Sequence, residues 1–571
     1  MRLKVNKSKN SINYYIITDI KTKQGKRSTK VFKKLGNEQD ILKISNGIPP
    51  LEWANKQLEI VNKQVQENSL KITADFSQSN IIEKNKQFSF NCGYLFLQDI
   101  YYSLALDKIC NDISDKYRIK YDLNSVLANL IYTRIIEPSS KLSAFETAKS
   151  FLEQPNFELQ NIYRALEIIS KETENIEASV YKNSLNVVNR NTKILYYDCT
   201  NYFFEIEEAE GIKQYGKNKE NRPLPIVQMG LFMDGDGFPL AFVIHSGNTN
   251  EQVTLKPLEK QIIKDFELSK FVVCTDAGLA SHENRIFNNI QDRSFIVTQS
   301  LKKIKGHLKD WALSKEDWHK LNSNKLINLN DIDNSSSNEE IYYKERWINE
   351  NGLEQRLIVS YSPKYAAYQK NLRTNQIERA KNLINNPTTI SKNRQNDPKR
   401  FIKSSFITND GEIADKKVFS LNQSAIDKEA IFDGFYAVCT TLEDDISEII
   451  KVNKRRWEIE ESFRILKSDF KARPVYLKRD DRIKAHFTTC FLALLIYRIL
   501  EHKLQDKYTS CEIIQTLRNM NLRELEGIGY IPAYTRTSLT DELHKIFKFR
   551  TDYEISTLKD MKKIFYSTKK K

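Results

Sequence analysis

The chain has 571 residues, more than one hydrophobic core usually organises, so several domains are expected. Apolar residues make up 40% and aromatic residues 11%, which excludes a globally disordered chain. The formal net charge of +15 points to an anionic partner, nucleic acid ahead of a membrane surface.

Residues 1–34 hold eleven Lys or Arg against one acid, Asp19, and so carry ten of the fifteen net positive charges. This basic arm reads either as a phosphate-contacting element or as a solvated one. Within it, Tyr14–Thr18 and Thr29–Phe32 flank a polar turn around Gly25, the pattern of a β-hairpin. A polar stretch near Ser77–Lys86 reads as a linker. From Leu95 to about Arg190 apolar residues recur three and four apart, as at Leu123, Val126, Leu127, Leu130 and Ile131, which predicts helices, punctuated at Pro138-Ser139-Ser140.

The pattern changes at Lys193. Short apolar runs end at Asp198, span Ile226–Met233 and Leu240–Ile244, and recur at Phe271–Cys274 and Phe295–Thr298, with helical spacing at Val253–Asp265. The order strand, strand, strand, helix, strand, helix, strand is the layout of a ribonuclease-H-like α/β core with a mixed β-sheet. Residues 301 to about 435 interrupt it with a low-complexity tract at Asn334–Asn338 and a basic helix near Tyr365–Leu383, and a strand at Gly434–Val438 closes the segment. One long helix is expected from about Asp444 to Phe470. The most apolar stretch, Phe487–Leu500, is too short to span a bilayer and contains Arg498, so it reads as a buried core helix. A second basic run, Lys559–Lys571, ends the chain. The expected division is a hairpin arm and linker (1–80), a helical DNA-binding region (86–190), the first part of the core (191–300), an inserted domain (301–436), the second part of the core (437–505) and a basic helical C-terminal region (506–571).

Seven cysteines, Cys92 to Cys511, are scattered without a CxxC pair, which argues against a zinc cluster or a disulfide framework and suits a reducing cytosol. No apolar run follows the basic N-terminus, so no secretory signal is expected.

Asp198 and Asp276 each stand at or just past the C-terminal end of an apolar strand, where open α/β sheets place their sites. Each alone could be a loop cap. Together on adjacent strands they could hold Mg²⁺, which takes oxygen ligands. At about 100° per residue, Asn453, Arg456, Arg464 and Lys467 fall within about 40° of Glu460 on one helical stripe. A solvated ladder of i, i+4 ion pairs would look the same. A two-metal phosphoryl-transfer site explains the stripe as a third carboxylate with cations for the scissile strand. Trp457 reads either as core under this helix or as a stacking platform for a base. His245, His282 and His486 are not needed as ligands, because hard Mg²⁺ prefers oxygen.

These motifs resemble the bacterial insertion-sequence transposases of the DDE type that carry a Tyr-Arg-Glu-Lys signature, the insertion-sequence-4-like superfamily, and within it the 1634-type group. The signature positions, separated by two, three and six residues, correspond to Asn453, Arg456, Glu460 and Lys467, so Asn453 replaces the tyrosine. Tyr197-Asp198-Cys199-Thr200 and Thr275-Asp276-Ala277-Gly278 match the acidic motifs. Gly216–Lys219, Gly247-Asn248-Thr249, Arg473-Pro474-Val475-Tyr476, Arg482–Phe487 and the Pro138–Lys141 region are similar too.

The resemblance implies an enzyme that binds the terminal inverted repeats of its element and pairs the two ends in a homodimer or higher oligomer. It implies cleavage and joining of the ends to target DNA with Asp198, Asp276 and Glu460 as ligands of Mg²⁺, or Mn²⁺ as a substitute. Arg456 and Lys467 would contact phosphates near the cut, with Arg464 and Asn453 as weaker DNA contacts. A hairpin intermediate is a further implication, and the setting is the bacterial cytoplasm, with no membrane partner. Two rival readings stand beside it: a ribonuclease-H-like nuclease that does not join strands, and an inactive DNA-binding derivative.

Overall fold

A computed structural model describes the chain apart from residues 9–10, 22–26, 46, 69–77, 80, 220–221, 322, 324, 334, 336, 386–396 and 408–415. It divides into two compact units, Met1–Lys86 and Gln87–Lys571. The expected turn around Gly25, part of the linker near Ser77 and Asn80, and Asn334 and Ser336 of the low-complexity tract lie outside the described residues.

The first unit is an antiparallel sheet of β1 (Arg2–Ser8), β2 (Ser11–Lys21) and β3 (Arg27–Asn37), followed by helices Glu38–Ile44 and Pro50–Asn68. The expected hairpin is the β2–β3 pair, with Ile17 opposite Val31 and Thr18 opposite Lys30. The extra strand β1 alternates Leu3 and Val5 with polar residues, a half-buried pattern too short to announce itself in sequence. Tyr14 and Ile16 pack with Ile41, Ala54 and Val61 in a core of the unit's own.

The second unit opens with β4 (Ser89–Asn91) and a run of helices from Tyr94–Ser103 to Thr173–Ser184. Then β5 (Ile194–Phe203), β6 (Ile226–Asp234), β7 (Pro239–Ser246), helix Leu255–Asp265, β8 (Val272–Thr275), helix His282–Phe287 and β9 (Ser294–Thr298) occur in the expected order. The segment from 301 onward extends the same sheet with β10 (Trp318–Lys320), β11 (Leu326–Ile327), β12 (Tyr342–Glu350) and β13 (Leu353–Tyr361). It also carries a two-stranded ribbon of β14 (Ile402–Ile407) and β15 (Lys416–Leu421), and returns to the sheet with β16 (Phe435–Thr440). The result is a ten-stranded mixed sheet in the order β11-β10-β12-β13-β16-β9-β8-β5-β6-β7, with β5, β8 and β9 parallel and the other pairings antiparallel. Beyond residue 506 the chain is not wholly helical: β17 (Asn521–Leu525), β18 (Gly529–Pro532) and β19 (Ser556–Thr557) join β4 in a small sheet.

Helix Asp480–Lys503 is the central apolar element. By length and composition it could cross a membrane, and it is longer than its apolar stretch suggested, but 89% of its most apolar window is buried inside the protein. It packs against the helices Tyr94–Ser103, Leu123–Ile136 and Leu159–Lys171 of the same unit and against β7.

The single helix expected from about Asp444 to Phe470 is three pieces: Ile446–Lys454, Trp457–Arg464 and a π-helical turn, Ile465–Asp469. Arg455 stands at the break, its amide on the Lys451 and Val452 carbonyls and its guanidinium on Glu458 at 2.9 Å. Angles counted at 3.6 residues per turn therefore do not carry from Asn453 to Lys467.

Candidate active site

Strand alternation decides which way the acids face. Successive side chains of β5 point to opposite sides of the sheet. Leu195, Tyr197 and Cys199 enter one apolar core, with Leu255, Leu258 and Ile262. Tyr196 and Tyr202 enter the other, with Ile449, Ile459, Phe463 and the long helix. Asp198 has the parity of Tyr196 and Tyr202 and so faces the helices that follow Asp445. On β8, Cys274 belongs to that same core. Tyr196 pairs with Cys274 in parallel register, and Asp276 follows just past the end of β8, close enough to Asp198 to disfavour its charge.

Local contacts hold both carboxylates. Asp198 Oδ1 accepts the Cys199 amide at 2.7 Å. Asp276 Oδ1 accepts the amides of Gly278 at 2.9 Å and Leu279 at 3.1 Å, an Asx turn that ends β8. Burial pushes the Asp198 carboxyl up to about 6; Lys219 opposes this and Asp276 adds to it.

On the other side of the sheet, Gly230 pairs with Cys199. A Cβ there would sit 2.2 Å from the Tyr197 hydroxyl, which donates to Thr254 at 2.7 Å. The strand that carries Asp198 is thus locked from behind by a buried tyrosine that only glycine accommodates.

Three cations gather near the aspartates. Arg456 is half-buried and 3.6 Å from Glu460. Burial disfavours its charge, but Tyr436, Asp198 and Asp276 outweigh that and raise its pKa. Lys467 lies over the Tyr202 ring at 5.6 Å. Burial, with Lys219 nearby, lowers it to about 8, against the pull of Asp198. Lys219, to which no role was assigned from sequence, reaches the Cys199 carbonyl and lies 3.6 Å from Glu251. Burial works against its charge, and Asp198, Glu251, Cys199 and Asp276 more than offset that. Asn201 of β5 holds its loop, donating to the Lys217 carbonyl at 3.1 Å and accepting the Lys219 amide at 3.3 Å. The only sequence signal for Lys219 was its place in the Gly216–Lys219 motif, and Glu251 gave none.

The other expected site residues fall elsewhere. Glu460 is 62% exposed and turned toward Arg456. Among the described residues no three His, Cys, Asp or Glu side chains lie close enough to hold a metal ion together. Asp198 and Asp276 suit a hard cation, since both offer oxygen and Asp276 raises the cost of charging Asp198; Glu460 does not close the set. Asn453 is buried rather than on a cationic stripe, donating to the Tyr436 hydroxyl at 3.1 Å, with the Cys274 thiol 3.8 Å from its Oδ1. Arg464 is taken up by Glu461 at 2.6 and 2.8 Å, Asp469 at 3.4 Å and Ser510 at 3.0 Å, which draws it away from the aspartates. Trp457 is 59% exposed, so the core reading of this residue is corrected. With Tyr365, Tyr368, Tyr436, Arg456 and Glu460 it lines a cavity of about 750 Å³.

Residues 203–496, just over half of the chain, match the family model described as a transposase DDE domain. The chain belongs to the DDE transposase family. The matched span contains Asp276, Arg456, Glu460 and Lys467 and begins at Phe203, the last residue of the strand that carries Asp198. No curated protein sequence matches this transposase significantly. A piggyBac transposase, solved by cryo-EM as a synaptic complex with hairpin DNA, is similar over 83% of this chain and 84% of that one, at 9% identity and a TM-score of 0.36.

Proposed function

We propose that this transposase cuts DNA at the terminal inverted repeats of an insertion sequence and joins the freed 3′ ends to target DNA, acting through Asp198, Asp276 and Glu460. The observation that carries this reading is the pair of neighbouring carboxylates, Asp198 within β5 and Asp276 just past β8, with Lys219, Arg456 and Lys467 close by. Carboxylates so placed suit divalent ions, and cations beside them suit the phosphates of a scissile strand. Bound Mg²⁺, or Mn²⁺ in its place, would activate the attacking oxygen and offset charge on the leaving one. Arg456 and Lys467 hold the phosphate against the site. Glu460 joins the two aspartates once DNA draws Arg456 away from it.

The same reading takes the β5–β9 order as a ribonuclease-H-like core and the chain as a member of the insertion-sequence-4-like superfamily, in its 1634-type group. It places the enzyme in the bacterial cytoplasm, working as a dimer or larger synaptic assembly. The exposed Arg2, Lys4, Lys7, Lys30, Lys33 and Lys34 of the first unit would supply further phosphate contacts. The aromatic cavity around Trp457 has room for unpaired nucleotides of a hairpin end.

The test uses duplexes carrying the element's end and a target plasmid. Wild type should nick, then join, with added Mg²⁺ or Mn²⁺. Glu460→Gln, Asp198→Asn and Asp276→Asn should bind the duplex and do neither. A Glu460→Gln protein that still cleaves removes Glu460 from the chemistry. Cleavage without strand transfer from a pre-nicked end would leave a ribonuclease-H-like nuclease.

A further inference from the structure

A second basic cavity lies in the same unit, built from motifs that the carboxylate site does not use. It measures about 460 Å³ and is lined by Arg134, Ser139, Lys141, Arg473, Tyr476 and His486, among others. None of the described residues lining it is a carboxylate.

Its floor is buried positive charge. Lys141 is 6% exposed, and its Nζ has no hydrogen-bond partner among the described residues. Arg134 is 5% exposed. It donates to the Phe470 carbonyl at 3.2 Å and the Ser139 carbonyl at 3.1 Å, while its Nε has no such partner. An arginine stays charged in any protein interior, and a buried cation without a counter-ion is costly. His486 does not relieve the excess: Nε2 is 3.2 Å from the Ala472 carbonyl, and burial together with Lys141 and Arg134 keeps the ring neutral. Burial, with Arg134 behind it, pushes Lys141 down to about 7, so an arriving anion would recharge it.

Ser140 caps the helix Lys141–Ala148, accepting the Ser143 amide at 3.2 Å, so the positive end of that helix also borders the cavity. At the other wall, Arg473 lies 5.6 Å over the ring of Phe203, the end of the strand that carries Asp198. At about 3.3 Å per residue, the cavity stands on the order of 15 Å from the aspartates. That is the rise of about four or five base pairs.

We propose that this cavity is an oxyanion site that takes one backbone phosphate of the DNA held at the carboxylates, with Lys141 and Arg134 as its charged floor. The DNA assignment rests on the transposase reading, whereas the oxyanion assignment does not.

The test is run on the full chain as wild type, Lys141→Met and Lys141→Arg. The first arm is thermal unfolding in inorganic phosphate against chloride at equal ionic strength, without DNA or divalent metal. Phosphate should raise the midpoint of wild type and Lys141→Arg and leave Lys141→Met unmoved. Lys141→Met loses an unpaired buried charge, so in chloride it should be at least as stable as wild type. The second arm is duplex binding across a salt series. Lys141→Met should flatten the slope of log K against log salt by about 0.9, one phosphate contact fewer. A phosphate response with an unchanged slope overturns the DNA assignment and leaves a site for free phosphate. No response in either arm overturns the proposal, and Lys141 is then a packing residue held neutral. A wild type that responds to phosphate yet binds no duplex sinks the transposase reading and leaves the oxyanion site standing.

Discussion

The pH dependence of cleavage follows from two opposed groups at the site. Asp198, raised to about 6 chiefly by burial, must be ionised to act as a ligand. Lys467, lowered to about 8 chiefly by burial, must be protonated to hold a phosphate. The signs are opposite: activity is lost as pH falls through the first value and as it rises through the second. At pH 7 each group is about nine-tenths in its working form; at pH 5 Asp198, and at pH 9 Lys467, is down to about one-tenth. The profile of kcat/KM, which reports the free enzyme, should be a bell with a plateau near pH 7 and roughly tenfold losses per unit outside it. A bound cation favours the carboxylate and a bound phosphate the ammonium, so the kcat profile should be broader on both sides. The assay is single-turnover nicking of an end duplex at fixed ionic strength, with the metal held below the level that saturates the DNA-free protein. Lys467→Arg removes the alkaline limb, because a guanidinium stays charged there, while Lys467→Met removes the limb and lowers the plateau. A level kcat/KM from pH 5 to pH 9, or an alkaline limb that survives in Lys467→Arg, would refute the reasoning.

Gly230→Ala should destabilise the chain by about 2–4 kcal/mol, the cost of overpacking plus disturbance of a buried hydroxyl. Its Cβ meets the Tyr197 hydroxyl at 2.2 Å. Adding Tyr197→Phe should recover part of the loss in denaturant unfolding, and purely additive effects would count against the clash. Glu177 is buried, accepting the Phe242 amide at 2.9 Å and Gln261 at 3.1 Å, and burial raises its carboxyl to about 8. Between its ordinary range and pH 8 the folded state keeps a proton that the unfolded state has released, so stability falls by about 1.4 kcal/mol per unit as pH rises. Glu177→Gln should abolish that slope in unfolding midpoints measured from pH 5 to pH 8. Asn453→Tyr completes the signature in sequence but overfills the buried site beside Tyr436, and should cost about 1–3 kcal/mol in unfolding free energy rather than raise activity. An equally stable and more active variant would show that the position has room for the ring.

The β5–β9 order and the two aspartates were legible because each rests on a local pattern of apolar runs with an acid beside them, although β5 runs on to Phe203 and leaves Asp198 within the strand rather than at its end. The parallel pairing of β5 with β8 that brings Asp276 near Asp198 was not, since it is decided by contacts between segments 78 positions apart. The helical stripe misled for a physical reason. The break at Arg455 and the π turn at Ile465–Asp469 rotate Asn453 into the core, and Arg464 toward Glu461 and Asp469. Lys219 was invisible as a site residue because what brings it in is a side-chain clamp by Asn201 on a loop, which leaves no periodic trace. Of the two readings of Trp457, the core one fails because the break exposes the first residue of the new helix.

The three acids therefore differ in stiffness. Asp198 is held by strand pairing to β6 and by the Tyr197–Gly230 contact behind it, and Asp276 by an Asx turn at a strand end. Glu460 has neither support. It projects from a helix of two turns, bounded by a break and by a π turn, and among the described residues its ion pair is with the guanidinium four residues before it. A salt bridge this exposed is worth at most about 1 kcal/mol, so a phosphate that competes for Arg456 can release Glu460 at little cost. If Glu460 is the third ligand, as proposed, it stays apart until DNA arrives. Arg456→Gln should then free Glu460 in the absence of DNA and tighten metal binding to the free protein, even as it weakens DNA binding. Isothermal titration of Mn²⁺ into the DNA-free protein measures this directly. If Arg456→Gln binds Mn²⁺ no more tightly than wild type, the pairing at 3.6 Å is not what holds the third carboxylate away.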